Sequence, residues 1–288
     1  DNDGDLDLYI LNHSTQEFAG LGKISKHNKK RKNKAYSDKL MKNDNGKFID
    51  VSDEVGLISN VLGFGLGIAV SDLNNDGWLD IYISNDYNEQ DYLYFNNGDG
   101  TFRESLEEYI GHVSLYSMGS DIADINNDGF PDIMTLDMLP EHNYRIKMTS
   151  GPDNFEKLSY LWKNGFYHQT MRNMLQLNQN GDYLSEIGQF SGVSNTDWSW
   201  ASLFTDLDND GYKDLFITNG YKKDYYSYCY FFSAFAWIYL YGFKCSKLLF
   251  YVCFCKICRT FITYHSNCFC PRRSYSRIHC FIDLSRKN

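Results

Sequence analysis

Asp206-Leu207-Asp208-Asn209-Asp210-Gly211-Tyr212-Lys213-Asp214 is the stretch that decides the fold. The same nine-residue frame occurs without gaps as Asp72-Leu73-Asn74-Asn75-Asp76-Gly77-Trp78-Leu79-Asp80 and as Asp124-Ile125-Asn126-Asn127-Asp128-Gly129-Phe130-Pro131-Asp132. The chain opens inside another copy, Asp1-Asn2-Asp3-Gly4-Asp5-Leu6-Asp7, in which the first two positions are missing. Asp or Asn stands at positions one, three, five and nine of the frame, and Gly at position six. Self-similarity of this kind marks a repeat architecture.

The flanks repeat with the frame. Leu8-Tyr9-Ile10-Leu11, Ile81-Tyr82-Ile83-Ser84, Ile133-Met134-Thr135-Leu136 and Leu215-Phe216-Ile217-Thr218 follow the last Asp, and each is a short β-rich run. Five residues before the first Asp stands a small residue, Gly67, Gly119 or Ala201, and two before it an apolar one, Val70, Ile122 or Phe204. A second element lies between the loops: Asn43-Asp44-Asn45-Gly46, Asn97-Gly98-Asp99-Gly100 and Asn178-Gln179-Asn180-Gly181, each followed closely by an aromatic residue. Asn-Gly and Asp-Gly favour the tight turns of antiparallel hairpins. Each unit therefore reads as strand, Asp loop, strand, strand, hairpin, strand. The predicted class is all-β, built of propeller blades, of which three to four are present. Residues 13–40 hold a basic insertion around Lys29–Lys34, expected to be solvated. Residues 138–170 hold a mixed one around Asn154–Trp162, read as helical.

The residue types in the loop point to calcium, a hard cation that takes six to eight oxygen ligands at about 2.3–2.6 Å. Alternate side chains of a curling loop present their oxygens to one side, Gly permits the sharp turn, and position seven offers its carbonyl. The candidate ligands are Asp72, Asn74, Asp76, Trp78 and Asp80; Asp124, Asn126, Asp128, Phe130 and Asp132; and Asp206, Asp208, Asp210, Tyr212 and Asp214. Asp1, Asp3 and Asp7 form the clipped set. Carboxylates so crowded repel one another unless a cation joins them. The loop is not an EF-hand, because position twelve is Ile83, Thr135 or Ile217 within a strand rather than a bidentate Glu.

These residues resemble the FG-GAP or VCBS repeats of integrin-α-type propellers, and among them the cartilage acidic protein and ASPIC/UnbV group. Gly63-Phe64-Gly65-Leu66-Gly67, Asp197-Trp198-Ser199-Trp200 and the run Phe48–Leu57 carry the likeness, which covers residues 1–224. The resemblance implies a seven-bladed propeller with calcium in its blade loops, and an extracellular or cell-surface setting such as the bacterial outer surface or periplasm. No signal peptide stands at the start of the sequence.

Composition divides the chain near residue 224. All 8 Cys lie at or after Cys229. Residues 225–288 carry nine Lys or Arg against the single acid Asp283, whereas residues 1–224 are near −17. Three readings of the tail stay open: a frameshifted translation, a membrane segment at 225–243, or a zinc or disulfide cluster from Cys253, Cys255, Cys258, Cys268 and Cys270. The basic run 29–34 sits in an acidic region and does not indicate nucleic acid. His13, His112, His142 and His168 lack metal-ligand spacing and read as packing or surface residues. Trp198 and Trp200 alternate as in a strand and read as core. The expected function is a non-catalytic, calcium-binding module for adhesion, ligand binding or assembly, with a protein or glycan partner. The alternatives are a propeller-based hydrolase or lyase and a lectin-like module.

Overall fold

The computed structural model describes residues 2–14, 25–149 and 155–220, together with the backbone of strands at 235–241, 249–253 and 261–264. Four antiparallel sheets follow the repeat. The first contains β1 (Leu8–Ile10), β2 (Lys39–Asp44) and β3 (Lys47–Asp50). Helix α1 (Lys26–Lys30) lies between β1 and β2. The second sheet is β4 (Gly65–Ser71), β5 (Asp80–Asn85), β6 (Tyr92–Asn96) and β7 (Phe102–Glu104), in sequence order. After α2 (Leu106–Tyr109) and β8 (Val113–Ser114), the third sheet is formed by β9 (Ser120–Ala123), β10 (Asp132–Thr135), β12 (Met174–Asn178) and β13 (Leu184–Glu186). Between β10 and β12 lie α3 (Asn143–Thr149), α4 (Phe155–Lys163) and β11 (Gln169–Thr170), which pairs in parallel with β8. The fourth sheet is β14 (Ser199–Thr205), β15 (Asp214–Asn219), β16 (Phe235–Tyr241), β17 (Leu249–Cys253) and β18 (Phe261–Tyr264).

The protein is thus mostly β, and its complete units have the up-and-down strand order that propeller blades use. The Asp frame joins the first and second strands of a unit, and the Asn-Gly element joins the third and fourth. At Asn45-Gly46 both φ angles are positive, 54° and 87°, in a two-residue link between β2 and β3. This is the type I′ geometry that Asn-Gly favours. The link at residues 97–101 is longer, closed by the Asn97 N–H donating to the Thr101 carbonyl at 2.9 Å.

Strand β5 shows why the runs after the loops are apolar without alternation. Every residue of it is buried. Ile81 and Ile83 face a cluster with Val55, Leu57, Tyr92 and Tyr94, packed on Tyr9, Leu11 and Leu40 of the first unit. Tyr82, on the opposite side of the pleat, joins Leu93, Phe95 and Ile133 towards the third unit. Met134, Leu136 and Leu175 meet Leu215 and Ile217 of the fourth in the same way. A strand covered on both faces must be apolar on both, which is how a row of stacked sheets buries a continuous core.

The small residue before each loop now has a reason. A Cβ on Gly67 would lie 2.8 Å from the Met118 carbonyl oxygen, and one on Gly119 would lie 2.5 Å from that of Trp200. The first strands β4, β9 and β14 run that close to one another, and only glycine fits where backbone meets backbone.

Antiparallel topology puts both insertions at the end of the sheets away from the Asp loops, in the link between second and third strands. The second is helical, as expected: Leu161 of α4, with Phe166, packs on Val61 and Leu62. The first is solvated as expected at Lys30, Arg31, Lys32 and Lys34, which are exposed, whereas Lys29 is half-buried. Lys29 Nζ donates to Gln90 Oε1 at 2.7 Å and to the Gly165 carbonyl at 2.8 Å, and lies 5.3 Å from the Phe166 ring centroid. Its charge thus meets two carbonyl oxygens and the face of an aromatic ring. Lys34 pairs with Asp53. Trp200 also departs from expectation. It is 46% exposed on β14, the first strand of the last sheet.

Of the segment 225–243, residues 235–241 form β16, hydrogen-bonded to β15. The remainder lies outside the described residues, as do Cys255, Cys258, Cys268 and Cys270. No helix among the described residues is long and apolar enough to cross a membrane.

Candidate metal loops

The Asp loops share one internal geometry. In the loop of the second unit, Asp72 accepts the Asp76 N–H on Oδ1 at 3.0 Å and the Gly77 N–H on Oδ2 at 2.8 Å. Asp124 does the same for Asp128 and Gly129, at 3.1 and 2.8 Å. Asp206 does so for Asp210 and Gly211, at 3.1 and 3.0 Å. The position-five carboxylate accepts the N–H of position seven at 2.8 Å in all three loops: Asp76 from Trp78, Asp128 from Phe130 and Asp210 from Tyr212. These short-range bonds curl the chain, with Gly77, Gly129 and Gly211 at φ 87°, 90° and 91°. Such φ values are strained for any side-chain-bearing residue.

Position three separates the loops into two kinds. Asn74 and Asn126 each turn an amide N–H on the position-five carboxylate, Asp76 Oδ2 at 2.9 Å and Asp128 Oδ2 at 2.8 Å. The fourth unit carries Asp208 there and has no such donor. Carboxylate oxygens of Asp206, Asp208 and Asp210 lie within 4.8 Å of one another. Ligands at 2.3–2.6 Å from one ion can be no farther apart than about 5 Å, so this set fits a calcium-sized cation.

Position nine has a second employment that the spacing did not reveal. Asp80 and Asp132 are fully buried. Asp80 Oδ2 accepts the Leu73 N–H at 2.9 Å and its Oδ1 the Asn96 N–H at 2.9 Å. Asp132 accepts from Ile125 at 3.0 Å and Asn178 at 2.7 Å. Asp7 accepts from Asn43 at 2.9 Å, and Asp214 from Leu207 at 2.9 Å. The residue thus staples the Asp loop to the end of the third strand. The same asparagines, Asn43, Asn96 and Asn178, accept hairpin N–H groups from Gly46, Gly98 and Gly181. Burial pushes the Asp80 and Asp132 carboxyls up to about 6, against the pull of those N–H bonds and with help from the carboxylates at positions five and one.

The aromatic residues at position seven, assigned as carbonyl ligands, also pack their rings on hairpins. The Trp78 indole lies under Gly98 and the Phe130 ring beside Gly181. Tyr212 is 57% exposed. In the clipped loop, Asp3 accepts the Asp5 N–H at 3.1 Å, as position five does elsewhere. Asp1 lies outside the described residues.

The opposite end of the sheets carries a set of buried carboxylates that sequence reasoning missed. Asp91, fully buried, accepts from the Tyr82 hydroxyl at 2.6 Å, the Ser117 hydroxyl at 3.0 Å and the Asn85 N–H at 2.8 Å. Asp137, also fully buried, accepts from the Ser114 hydroxyl at 2.6 Å and from the Leu115 and Tyr116 N–H groups at 3.2 Å. Burial lifts Asp91 to about 7 and Asp137 to about 6, against those hydrogen bonds. A repeat is hidden here too. Backbone N–H groups of Asn12, Asn85 and Asp137 donate to Asp38, Asp91 and Asn173, the residues just before each third strand. A polar residue at that place in three units was the available signal. The four histidines are dispersed: His13 stacks on Phe64, His168 lies against Trp162 and Tyr167, His112 meets Glu186, and His142 is exposed beside Glu141.

Comparison with known proteins agrees with the loop pattern. A family model described as FG-GAP-like repeat matches residues 1–83 and 72–135. Human cartilage acidic protein 1 is 25% identical over 202 residues, 59% of this chain and 30% of that protein. Mouse integrin alpha-7 is 38% identical over 85 residues, 25% of this chain and 7% of that protein. Integrin alpha-3 of Cricetulus griseus is 27% identical over 165 residues, 54% of this chain and 14% of that protein. The chain thus spans under a third of the length of these relatives. The recurring Asp frame, the sheet that follows each copy and these similarities identify FG-GAP-like repeats over residues 1–135 of the chain.

Proposed function

We propose that the chain is a calcium-binding segment of an extracellular β-propeller, serving adhesion, ligand binding or assembly without catalysis. The observation that carries this reading is the oxygen cluster of Asp206, Asp208 and Asp210, exposed or half-buried, on a backbone shared with the loops at Asp72 and Asp124. The three side chains gathered there are all carboxylates, whose oxygens suit a hard cation. Asp72, Asn74, Asp76 and Asp80, with their counterparts in the other units, would hold the ion, and the ion would supply charge neutralisation and loop rigidity. The stacked sheets would be consecutive blades. A protein or glycan at the cell surface is the partner class, in keeping with the resemblance to integrin-α-type repeats.

Calcium titration of the whole chain, followed by thermal melting, tests the reading. A rise in Tm between chelator and millimolar calcium is expected, with magnesium much weaker. Equal melting in chelator and calcium would overturn it.

A further inference from the structure

Consecutive Asp loops are tied together by the residue at position four, which is Asn in every copy: Asn2, Asn75, Asn127 and Asn209. All four hold φ between 57° and 60°. Asn2 Nδ2 donates to the Gly77 carbonyl at 3.3 Å, Asn75 Nδ2 to that of Gly129 at 2.9 Å, and Asn127 Nδ2 to that of Gly211 at 3.1 Å. The donor stands between the side chains of positions three and five. The acceptor carbonyl belongs to the peptide joining positions six and seven of the next loop. Each bond therefore runs from the ligand-bearing backbone of one loop to that of its neighbour. Asn209 has the same place and the same φ, 59°, but its amide has no partner among the described residues.

We propose that the position-four asparagine is an inter-repeat latch that makes cation binding in neighbouring loops cooperative. The proposal rests on the calcium reading above. A cation fixes positions one, three, five and seven of its loop, and with them the backbone on both sides of the latch. The neighbouring loop then loses less freedom when it binds, which is coupling through ordering. Coupling of this kind is reciprocal between the sites. The loops at Asp72 and Asp124 are each latched on both sides, the first through Asn2 and Asn75 and the second through Asn75 and Asn127, so together they form the centre of the coupled row.

The test is calcium titration of the full chain, read by calorimetry and by tryptophan fluorescence, with melting in chelator alongside. Glycine replaces asparagine, because it keeps a positive φ without strain. Wild-type protein should titrate with a Hill coefficient above one. The Asn75→Gly/Asn127→Gly variant should titrate with a coefficient near one and a midpoint raised roughly fivefold, the low end of usual coupling. Asn209→Gly should match wild type within about twofold. Single Asn75→Gly, which breaks one latch, serves if the double variant does not melt cooperatively. Independent sites in wild type, or a loss in Asn209→Gly equal to that in the latch variants, would overturn the proposal. So would lowered melting in chelator with an unchanged Hill coefficient, which is what a purely structural bond predicts. No calcium binding by a folded wild-type chain would sink the calcium reading itself, a result distinct from binding without cooperativity.

Discussion

The two ends of the sheets use the same side chain for opposite purposes. At the loop end, Asp72, Asp76, Asp124, Asp128, Asp206, Asp208 and Asp210 stand half-buried or exposed, bonded to N–H groups of their own loop, and the last three crowd together. At the other end, Asp91 and Asp137 are sealed from solvent, and the hydroxyls of Tyr82 from the same sheet and of Ser117 from the link before the next are aimed at Asp91. Crowded carboxylates near solvent are repelled apart unless a cation joins them, and their stability is conditional on an ion. Single carboxylates surrounded by donors are satisfied by the protein itself, and their removal leaves those donors unpaired. The contrast separates acidic residues held near solvent by their own loop from those enclosed by donors in the interior.

The largest expected effect comes from calcium at the loop end. Ion at about 100-fold over its Kd stabilises by about 2.7 kcal/mol per site. Sites filling together should give a Tm rise well above that of any single substitution, measured by calorimetry with and without chelator. A null result would erase the distinction between the two ends.

Next in size is Asp91→Ala at the sealed end. It strands the Tyr82 and Ser117 hydroxyls and the Asn85 N–H, and should cost about 2–4 kcal/mol by denaturant unfolding. The loss should be equal in chelator and in calcium. A loss that calcium repairs would show that the two ends are not independent.

Asp208→Asn gives the fourth unit the position-three amide that Asn74 and Asn126 supply to the others. Melting in chelator should rise slightly, since one crowded charge is removed, while the calcium-induced rise shrinks by up to one site's share. Unchanged calcium response would remove Asp208 from the ligand set.

The last effect is on pH, and it is spread over about three pH units. Burial raises Asp91 to about 7 and Asp137 to about 6, from 3.8 in the unfolded chain. Between those values the folded state keeps protons that the unfolded state has released. In chelator, stability should therefore decline as pH rises from about 4 to about 7, by at most about 1.4 kcal/mol per pH unit for each group. Asp91→Asn keeps the shape, and the two hydroxyls can turn to accept its amide, so its share of the decline should vanish. An undiminished slope in urea titrations at pH 4.5, 5.5 and 6.5 would assign the proton elsewhere.

The loops were legible in the sequence because their bonds are local. Asp72 reaches N–H groups four and five residues ahead, so the frame itself records the turn, the glycine and the candidate oxygens. Strand runs and hairpin turns were legible for the same reason. Exposure of Trp200 was not, because alternation along a strand does not say whether another sheet covers it. The second role of position nine was hidden as well: Asp132 meets Asn178 across 46 residues.

What the sequence determined alone is the repeat, the Asp loops and the β class, each fixed by φ preference and short-range hydrogen bonding. Tertiary structure decided what lies between repeats. Asn75 finds the Gly129 carbonyl 54 residues away, Gly67 must be bare because the backbone at Met118 presses on it, and Asp91 is a sealed acceptor only because Tyr82 and Ser117 arrive from separate strands and links. Such partners are set by how sheets stack, and stacking depends on distances that no local pattern encodes.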